Sequence, residues 1–574
     1  MPARWIHSGC VAVTDGKHRI LWLSNLPFLY IHIYITAKPN ERQARASPSE
    51  SVAKPNRRQA KSSPRPTMSR LSFRRFIMTR ARAAPPQVPT DQVVPMLYFD
   101  DTNMTRGMIM CHTMKFHDVL DADKLHNSLS RLLSLGGWRK LGGRLRLNNA
   151  AKIDIHIPQM FTPERPAVRY SQVKIDTSID NYPLAAKLPT KTTEPSIQAG
   201  AETFRSLGCR EGVPTRIQDY LYSDEPQFQL HVVSFTDATL VSLAWPHTVT
   251  DAMGRQALYK AWHLVLAGRE DEVPPFLSLE DDPMRDLGLD KPAKPWLFEA
   301  LQLKGLSMLY AVVRYVLGTI FSPETEARTI FLPAKTVAAM RKRALSELPA
   351  TDHEGKATFV SDGDVLTAWA TQTSCRHMRP TSKRNVLVLN VFDLRSRLPS
   401  LFRSEGGGVY VQNASFPCFT MLPAGQMLRD RLGDLAMRIR RSIREQVGEE
   451  QVRSLAWLLR RAYDTTGNAP FFGPPDSYFV FFTNWSKAKF FDTVDFSPAV
   501  VKKGKGDKER TNVMGRPEYF HWQMLGKGFL SARNAFSITG KDAEGNYWMG
   551  GILHPEVWSN FEKEVERLRE EQPN

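Results

Sequence analysis

Apolar residues along this chain fall into short runs that read as strands and longer periodic runs that read as helices. The strand runs are Met108 to Phe116 (MIMCHTMKF), two within Gln227 to Ala244 parted by the turn TDAT, and Thr329 to Pro333 (TIFLP). Val386 to Arg397 (VLVLNVFDLRSR), Tyr410 to Ala414 (YVQNA), Asp476 to Trp485 (DSYFVFFTNW) and the late YWMGGILHP complete the set. LGGRLRL leads through Asn148 into KIDIHIP, which is a hairpin signal. Helical spacing appears from Asp121 to Leu133, where Leu125, Leu129, Leu132 and Leu133 share a face and Asp121 or Asp123 is the N-cap. After Asp251, spacing places Met253, Ala257, Leu258, Trp262 and Leu266 on one face, with Gly268 as the stop. Further helices are expected in AKTVAAMRKRALSE, from the capped SDGDVLTAW, from about Gly425 to Glu445, and from Pro555 to Glu571. Trp296 to Phe321 is a long apolar segment broken by Glu299, Lys304 and Arg314. Charges at that spacing predict a packed or surface helix rather than a membrane span. Strands and helices alternate irregularly, so the expected class is α/β with mixed sheets in two similar domains.

A chain of 574 residues exceeds one ordinary core, and its composition is 42% hydrophobic. The expected division is a basic extension over 1–86, a domain over 87–330 that includes an acidic, Pro-rich linker (269–295), and a domain over 331–574. The extension holds an apolar run, Ile20 to Ala37, interrupted by Asn25, Pro27 and His32. A tandem near-repeat follows (AKPNERQARASP, then AKPNRRQAKSSP), too poor in apolar residues to bury a core. It is expected to be disordered, with the native start at Met68 or Met78.

The net charge of +18 changes the picture only once it is located. Residues 1–86 hold sixteen Lys and Arg against Asp15, Glu41 and Glu50, leaving +5 for the other 488 residues. A basic tail on a nearly balanced body argues against a nucleic-acid-binding protein. Cys10, Cys111, Cys209, Cys375 and Cys418 form no CxxC pair. That suits a reducing, cytoplasmic setting and provides no metal motif.

His-x-x-x-Asp occurs twice, so the bare pattern decides little. His117 and Asp121 sit where a strand gives way to a helix, and Asp121 is better explained as a cap. His247 and Asp251, in AWPHTVTDAMG, sit where an apolar strand ends and an amphipathic helix begins, a place that holds a side chain firmly and faces it to a cleft.

His247-Thr-Val-Thr-Asp251, followed by Ala-Met-Gly, resembles the HxxxD motif of the BAHD-type acyl-CoA-dependent acyltransferases, and in its surroundings their fungal branch, the trichothecene 3-O-acetyltransferase-like transferases. Other landmarks occur in that family's order: SLSRLLSLGGWRKLGGRLRL, SDGDVLTAW, NVFDLRSRLPSLF with YVQNA, and FTNWSKAKFFDTVDF. The likeness covers about residues 90 to 570. Two departures stand out: the family's DFGWG reads Asp495-Phe-Ser-Pro-Ala499, and its "GN" reads Gln412-Asn413.

The resemblance implies two chloramphenicol-acetyltransferase-like domains with an active-site channel between them. It implies acyl-CoA as co-substrate, a small-molecule acceptor, no resident cofactor or metal, no nucleic acid, no stable membrane insertion and a monomer. His247 is the expected general base, because a histidine pKa lies near working pH. Asp251 is expected to pair with Arg395 rather than relay a proton. Thr483 and Trp485 match the family's "T-x-W" near the oxyanion. Arg395, Lys503 and Lys505 are the candidate coenzyme A contacts. Acyl transfer of this kind needs no covalent enzyme intermediate, which fits the absence of a GxSxG elbow. Three other readings are a condensation-type domain, a nucleic-acid-binding regulator, and a catalytically weak or inactive relative with a regulatory or binding role.

Overall fold

The computed structural model describes residues 83–571, apart from 280, 323, 352–354, 404–406, 507–509 and 527–532, together with residues 12–14 and 20–22. Most of the expected 1–86 extension, including its tandem repeat and the alternative starts, lies outside the described residues. Within it, Ala12–Thr14 pairs with Ile20–Trp22 as a short antiparallel ladder.

Two mixed sheets organise the rest. The strands are β1 (Ile109–Phe116), β2 (Val168–Lys174), β3 (Ser196–Ala199), β4 (Phe228–Ser234), β5 (Thr239–Pro246), β6 (Glu326–Leu332), β7 (Asn385–Asp393), β8 (Ser415–Pro423), β9 (Tyr478–Asn484), β10 (Tyr519–Met524), β11 (Ala535–Lys541) and β12 (Tyr547–Leu553). The first sheet has the order β10-β1-β5-β4-β2, and the second β8-β7-β9-β11-β12-β6-β3. β4 runs parallel to β2, and β9 parallel to both β7 and β11; the other neighbours are antiparallel. Each sheet takes one strand from the other half of the chain: β10 comes late in sequence and β3 early. β6 spans the expected boundary at 330.

The helices bear out much of the apolar spacing. α1 (Ala122–Leu132) is capped by Asp121, whose Oδ1 accepts from Lys124 N–H (2.9 Å). α2 (Ala252–Leu266) buries Leu258, Trp262 and Leu266, and Gly268 follows it with φ +75°. α3 (Gly305–Phe321) lies on the surface and buries none of its residues. α4 (Asp362–Ser374) starts at Ser361 in a reciprocal capping box with Asp364. The Gly425 to Glu445 expectation splits into Ala424–Arg429 and α5 (Leu432–Gln446), because Asp430 leaves the helix with ψ 141°. α6 (Glu449–Thr466) ends at Gly467 with φ +70°, and α7 (Pro555–Glu570) closes the chain. Trp245 and Trp262 anchor the core against the first sheet; Trp369 and Trp558 anchor the core against the second.

One strand expectation fails. Tyr410 to Ala414 makes no ladder, and β8 begins only at Ser415. The backbone groups that a strand would pair are taken by side chains. The carbonyls of Tyr410 and Gln412 accept from Arg395 (3.0 and 2.5 Å), that of Val411 accepts from Thr250 (2.7 Å), and Ala414 N–H donates to Asp251 (2.8 Å).

Candidate active site

His247 leaves β5 in a tight turn. Its N–H donates to the Met108 carbonyl (2.8 Å), just ahead of β1, and its own carbonyl accepts from Asn413 Nδ2 (2.8 Å). Asn413 N–H and Nδ2 both reach Asp100 Oδ1 (2.8 Å each). A buried Asp–Asn clamp therefore holds the backbone of the histidine itself. Burial lowers the His247 pKa below the ordinary 6.5, and the nearby Arg255 cation lowers it further. The Asp251 carboxylate pulls the other way without prevailing. Nδ1 is buried with no hydrogen-bond partner, while the residue as a whole is half-buried.

Asp251 points away from the imidazole and into the protein. As the N-cap of α2 it accepts from Gly254 N–H at Oδ1 (2.9 Å). Its Oδ2 accepts from Ala414 N–H (2.8 Å) and from Arg395 Nη1 (3.1 Å). Burial would raise this carboxyl, but Arg395 and the two backbone donors outweigh it and leave the pKa below the usual value. Arg395 also donates to Asp393 (2.8 Å) and to the carbonyls of Tyr410 and Gln412. It sits in the turn after β7, with its guanidinium fully engaged inside the protein.

Thr483 and Trp485 close β9. Trp485 Nε1 donates to Thr483 Oγ1 (2.9 Å), so the threonine hydroxyl keeps its own proton for another acceptor. The two motifs meet at Arg255 on α2. This residue is 3% exposed, and its guanidinium lies 4.7 Å from the Trp485 ring and 4.9 Å from those of Trp245 and Phe490. Its Nε and Nη1 have no hydrogen-bond partner, and burial lowers its pKa to about 10. Trp522 of β10 packs on Trp485 (5.6 Å) and donates to Ser537 of β11 (2.6 Å), which ties the two sheets together beside the site. A cleft lined by His521, Trp522, Met524, Trp548 and Gly550 runs along β10 and β12.

Lys503 and Lys505 are not gathered with these groups. Val500–Lys503 pairs with Asp118–Leu120, and Lys505 N–H donates to the His117 carbonyl (3.2 Å), while its ammonium lies 3.4 Å from Asp180. Both lie at the far end of β1 from Met108 and His247, and eight strand residues span about 27 Å. The other His-x-x-x-Asp is structural: His117 contacts Glu518 (2.5 Å), and Asp121 caps α1. The altered DFGWG segment remains docked, since the Asp495 carbonyl lies 2.8 Å from His263 Nδ1, Ala499 O accepts from Asp121 N–H (2.8 Å), and the Phe496 ring packs at a tilt on Trp262 (4.6 Å).

Asp100 and Arg255 are site residues that motif reading does not single out, and Asn413, visible in the sequence only as part of the altered "GN", gains its role on the His247 carbonyl from the fold. Asp100 carries the one available signal, a doubled carboxylate (Asp100-Asp101) in an apolar stretch. Burial pushes its pKa up to about 7 against the pull of Lys140. Cys111 and Cys209 approach to 3.5 Å between sulfurs but are free thiols. Among the described residues, no group of His, Cys, Asp and Glu is arranged to hold a metal, and no helix is long and apolar enough to cross a membrane.

No family model matches the chain. It is 41% identical over 492 residues to the O-acetyltransferase PaAT-2 of Phomopsis amygdali, covering 84% of this chain and 99% of that relative. Acetyltransferase sphE of Aspergillus fumigatus and transcriptional regulator calD of Penicillium decumbens are each 37% identical, covering 86% of this chain and 98% of the relative. Among solved structures, TRI101 of F. sporotrichioides, complexed with coenzyme A and T-2, matches with a TM-score of 0.58 at 14% identity. The match covers 84% of this chain and 97% of that one, which is a likeness of fold.

Proposed function

Because the chain belongs to the fungal, BAHD-like family of acyl-CoA-dependent O-acyltransferases, we propose that His247 is the base with which it acylates the hydroxyl of a small secondary metabolite. The observation that carries this is the state of His247. Its backbone is clamped at both N–H and carbonyl, and its surroundings favour the neutral imidazole that a general base needs. In the proposed step, Nε2 takes the acceptor's hydroxyl proton as the oxygen attacks the thioester carbonyl. The Thr483 hydroxyl donates to the oxyanion of the tetrahedral intermediate. Collapse breaks the carbon–sulfur bond, and the imidazolium returns its proton to the coenzyme A thiolate. Electrons and protons balance without a covalent enzyme intermediate. Asp251 and Arg395 act as positioning residues: their polar atoms are spent on each other, on Asp393, on the start of α2 and on the backbone from Tyr410 to Ala414, from which Asn413 holds the His247 carbonyl. Acetyl is the proposed acyl group, in keeping with the acetyltransferases among the relatives.

Likeness to a transcriptional regulator favours a second reading, a binding protein that has lost turnover. Thiol release from acetyl-CoA, measured with a panel of hydroxylated terpenoids, polyketides and alkaloids, separates the two. The expected result is acceptor-dependent thiol that falls by about 10²–10⁴-fold in His247→Ala. Full activity in that variant would remove His247 as the base. Coenzyme A binding without turnover on any acceptor would favour the second reading.

A further inference from the structure

α3 is a helix turned the wrong way out. Its apolar residues recur at the spacing that normally faces a core, yet that face looks outward. Leu306 is 83% exposed, Phe321 81%, Ile320 59% and Tyr310 51%, with Val313 and Leu317 exposed between them. The opposite face, through Met308, Val312 and Val316, rests half-buried on the protein. The apolar surface extends past the helix. Exposed Leu301 and Phe471 flank its start, where Leu303 N–H donates to the Phe471 carbonyl (2.8 Å). Near its end, Arg533 donates to the carbonyls of Gly318 and Ser322, and Asn534 to that of exposed Phe479. A continuous apolar stripe of this size on a protein surface marks a contact that the isolated chain does not make.

The charge pattern says what makes that contact. α3 itself carries no Asp or Glu; its charges are Arg314 and, at its N-cap, Lys304, with the Arg533 guanidinium on its C-terminal carbonyls, while Glu299 and Glu324 lie outside the helix at either end. Seventeen residues of helix reach about 25 Å, and the helix is not of the kind that crosses a membrane. An apolar face edged by cations matches an interfacial helix, whose side chains enter the acyl boundary while Lys and Arg reach up to phosphate. A second copy of the chain fits less well. A two-fold antiparallel pair centred on the stripe would bring together the two Arg314 side chains, because Arg314 sits near the midpoint of α3. We propose that α3 docks this protein in the plane of an anionic phospholipid surface. The inference stands apart from the acyltransferase reading.

The test is flotation of the full chain with vesicles of phosphatidylcholine alone and of phosphatidylcholine with phosphatidylserine. Wild type is compared with Leu306→Ser/Phe321→Ser and with Arg314→Glu. Both substituted apolar residues are almost fully exposed, so the fold should hold, and an unchanged thermal melt checks this. The basic N-terminal segment is present in every protein. The expected result is binding to the anionic vesicles that falls at least about ten-fold in the double variant and measurably in Arg314→Glu. Equal binding by wild type and the double variant would overturn the proposal and assign any vesicle affinity to the basic segment. No binding by wild type would overturn it too. A concentration-dependent dimer lost in the double variant, seen by sedimentation velocity without vesicle binding, would assign the face to a second copy.

Discussion

At the scale of the residue, the site shows how one buried cation and one buried carboxylate divide the work. Asp251 has its charge matched by Arg395 and two backbone donors, so it stays ionised and rigid. Arg255 has no such match. It rests on aromatic faces, and its uncancelled charge acts on His247. The sign follows directly. Burial and Arg255 both disfavour the imidazolium, so the folded pKa lies below 6.5 and the neutral base persists as pH falls towards that value. The acid limb of kcat/KM is therefore expected below pH 6.5, with activity lost only as pH drops through the folded pKa. Arg255→Met keeps most of the side-chain volume and removes the charge, so it should move that limb to higher pH. A pH–rate profile of both proteins checks this. An unmoved limb would show that desolvation alone sets the base.

At the scale of the element, the junction between β5 and α2 is built around a close approach. The first turn of α2 packs onto the Val411 backbone, where the Thr250 hydroxyl also bonds (2.7 Å). Gly254 allows this, because a Cβ there would collide with the Val411 carbonyl and the Thr250 hydroxyl. Neither neighbour has room to yield: one is backbone, and the other is held in its bond. Gly254→Ala is expected to destabilise the fold by about 1–3 kcal/mol and to lower kcat by displacing the loop that carries His247. Thermal melts with single-turnover thiol release would show both effects, whereas a neutral result in both would mean that the helix start shifts freely.

At the scale of the whole molecule, the two sheets are interlocked by exchange of strands. β10 supplies the edge of the first sheet beside β1, and β3 supplies the edge of the second beside β6. A chain cut near 330 would leave β1 and β6 as open edges and would uncover the Trp485–Trp522 contact between the sheets. Residues 87–330 expressed alone are expected to aggregate or to melt without a cooperative transition, and co-expression with 331–574 should rescue soluble protein. Calorimetry on the separate and paired halves tests this; an independent sharp transition from 87–330 would show that the borrowed strand is dispensable.

The sequence by itself determined what depends on neighbours in the chain. Asp121 and Ser361 cap the helices they precede, the leucines of α1 face inward, and a strand leads into His247 and a helix out of Asp251. Turn chemistry, capping and apolar periodicity act over a few residues, so these features are written in short stretches of text. The family's landmark order added Arg395 and the Thr483–Trp485 pair, though nothing local joins them to His247. Only the tertiary structure decided the rest. It turned YVQNA from an expected strand into the backbone cradle of Asp251 and Arg395, because side chains from distant segments took the hydrogen bonds of a ladder. It set Asp100 and Asn413 under His247, placed Arg255 among three aromatic rings, and sent Lys503 and Lys505 to the far end of β1. It also left the apolar stripe of α3 facing outward. Apolar spacing says that a face seeks burial, but what buries it depends on which surfaces the folded chain brings within reach.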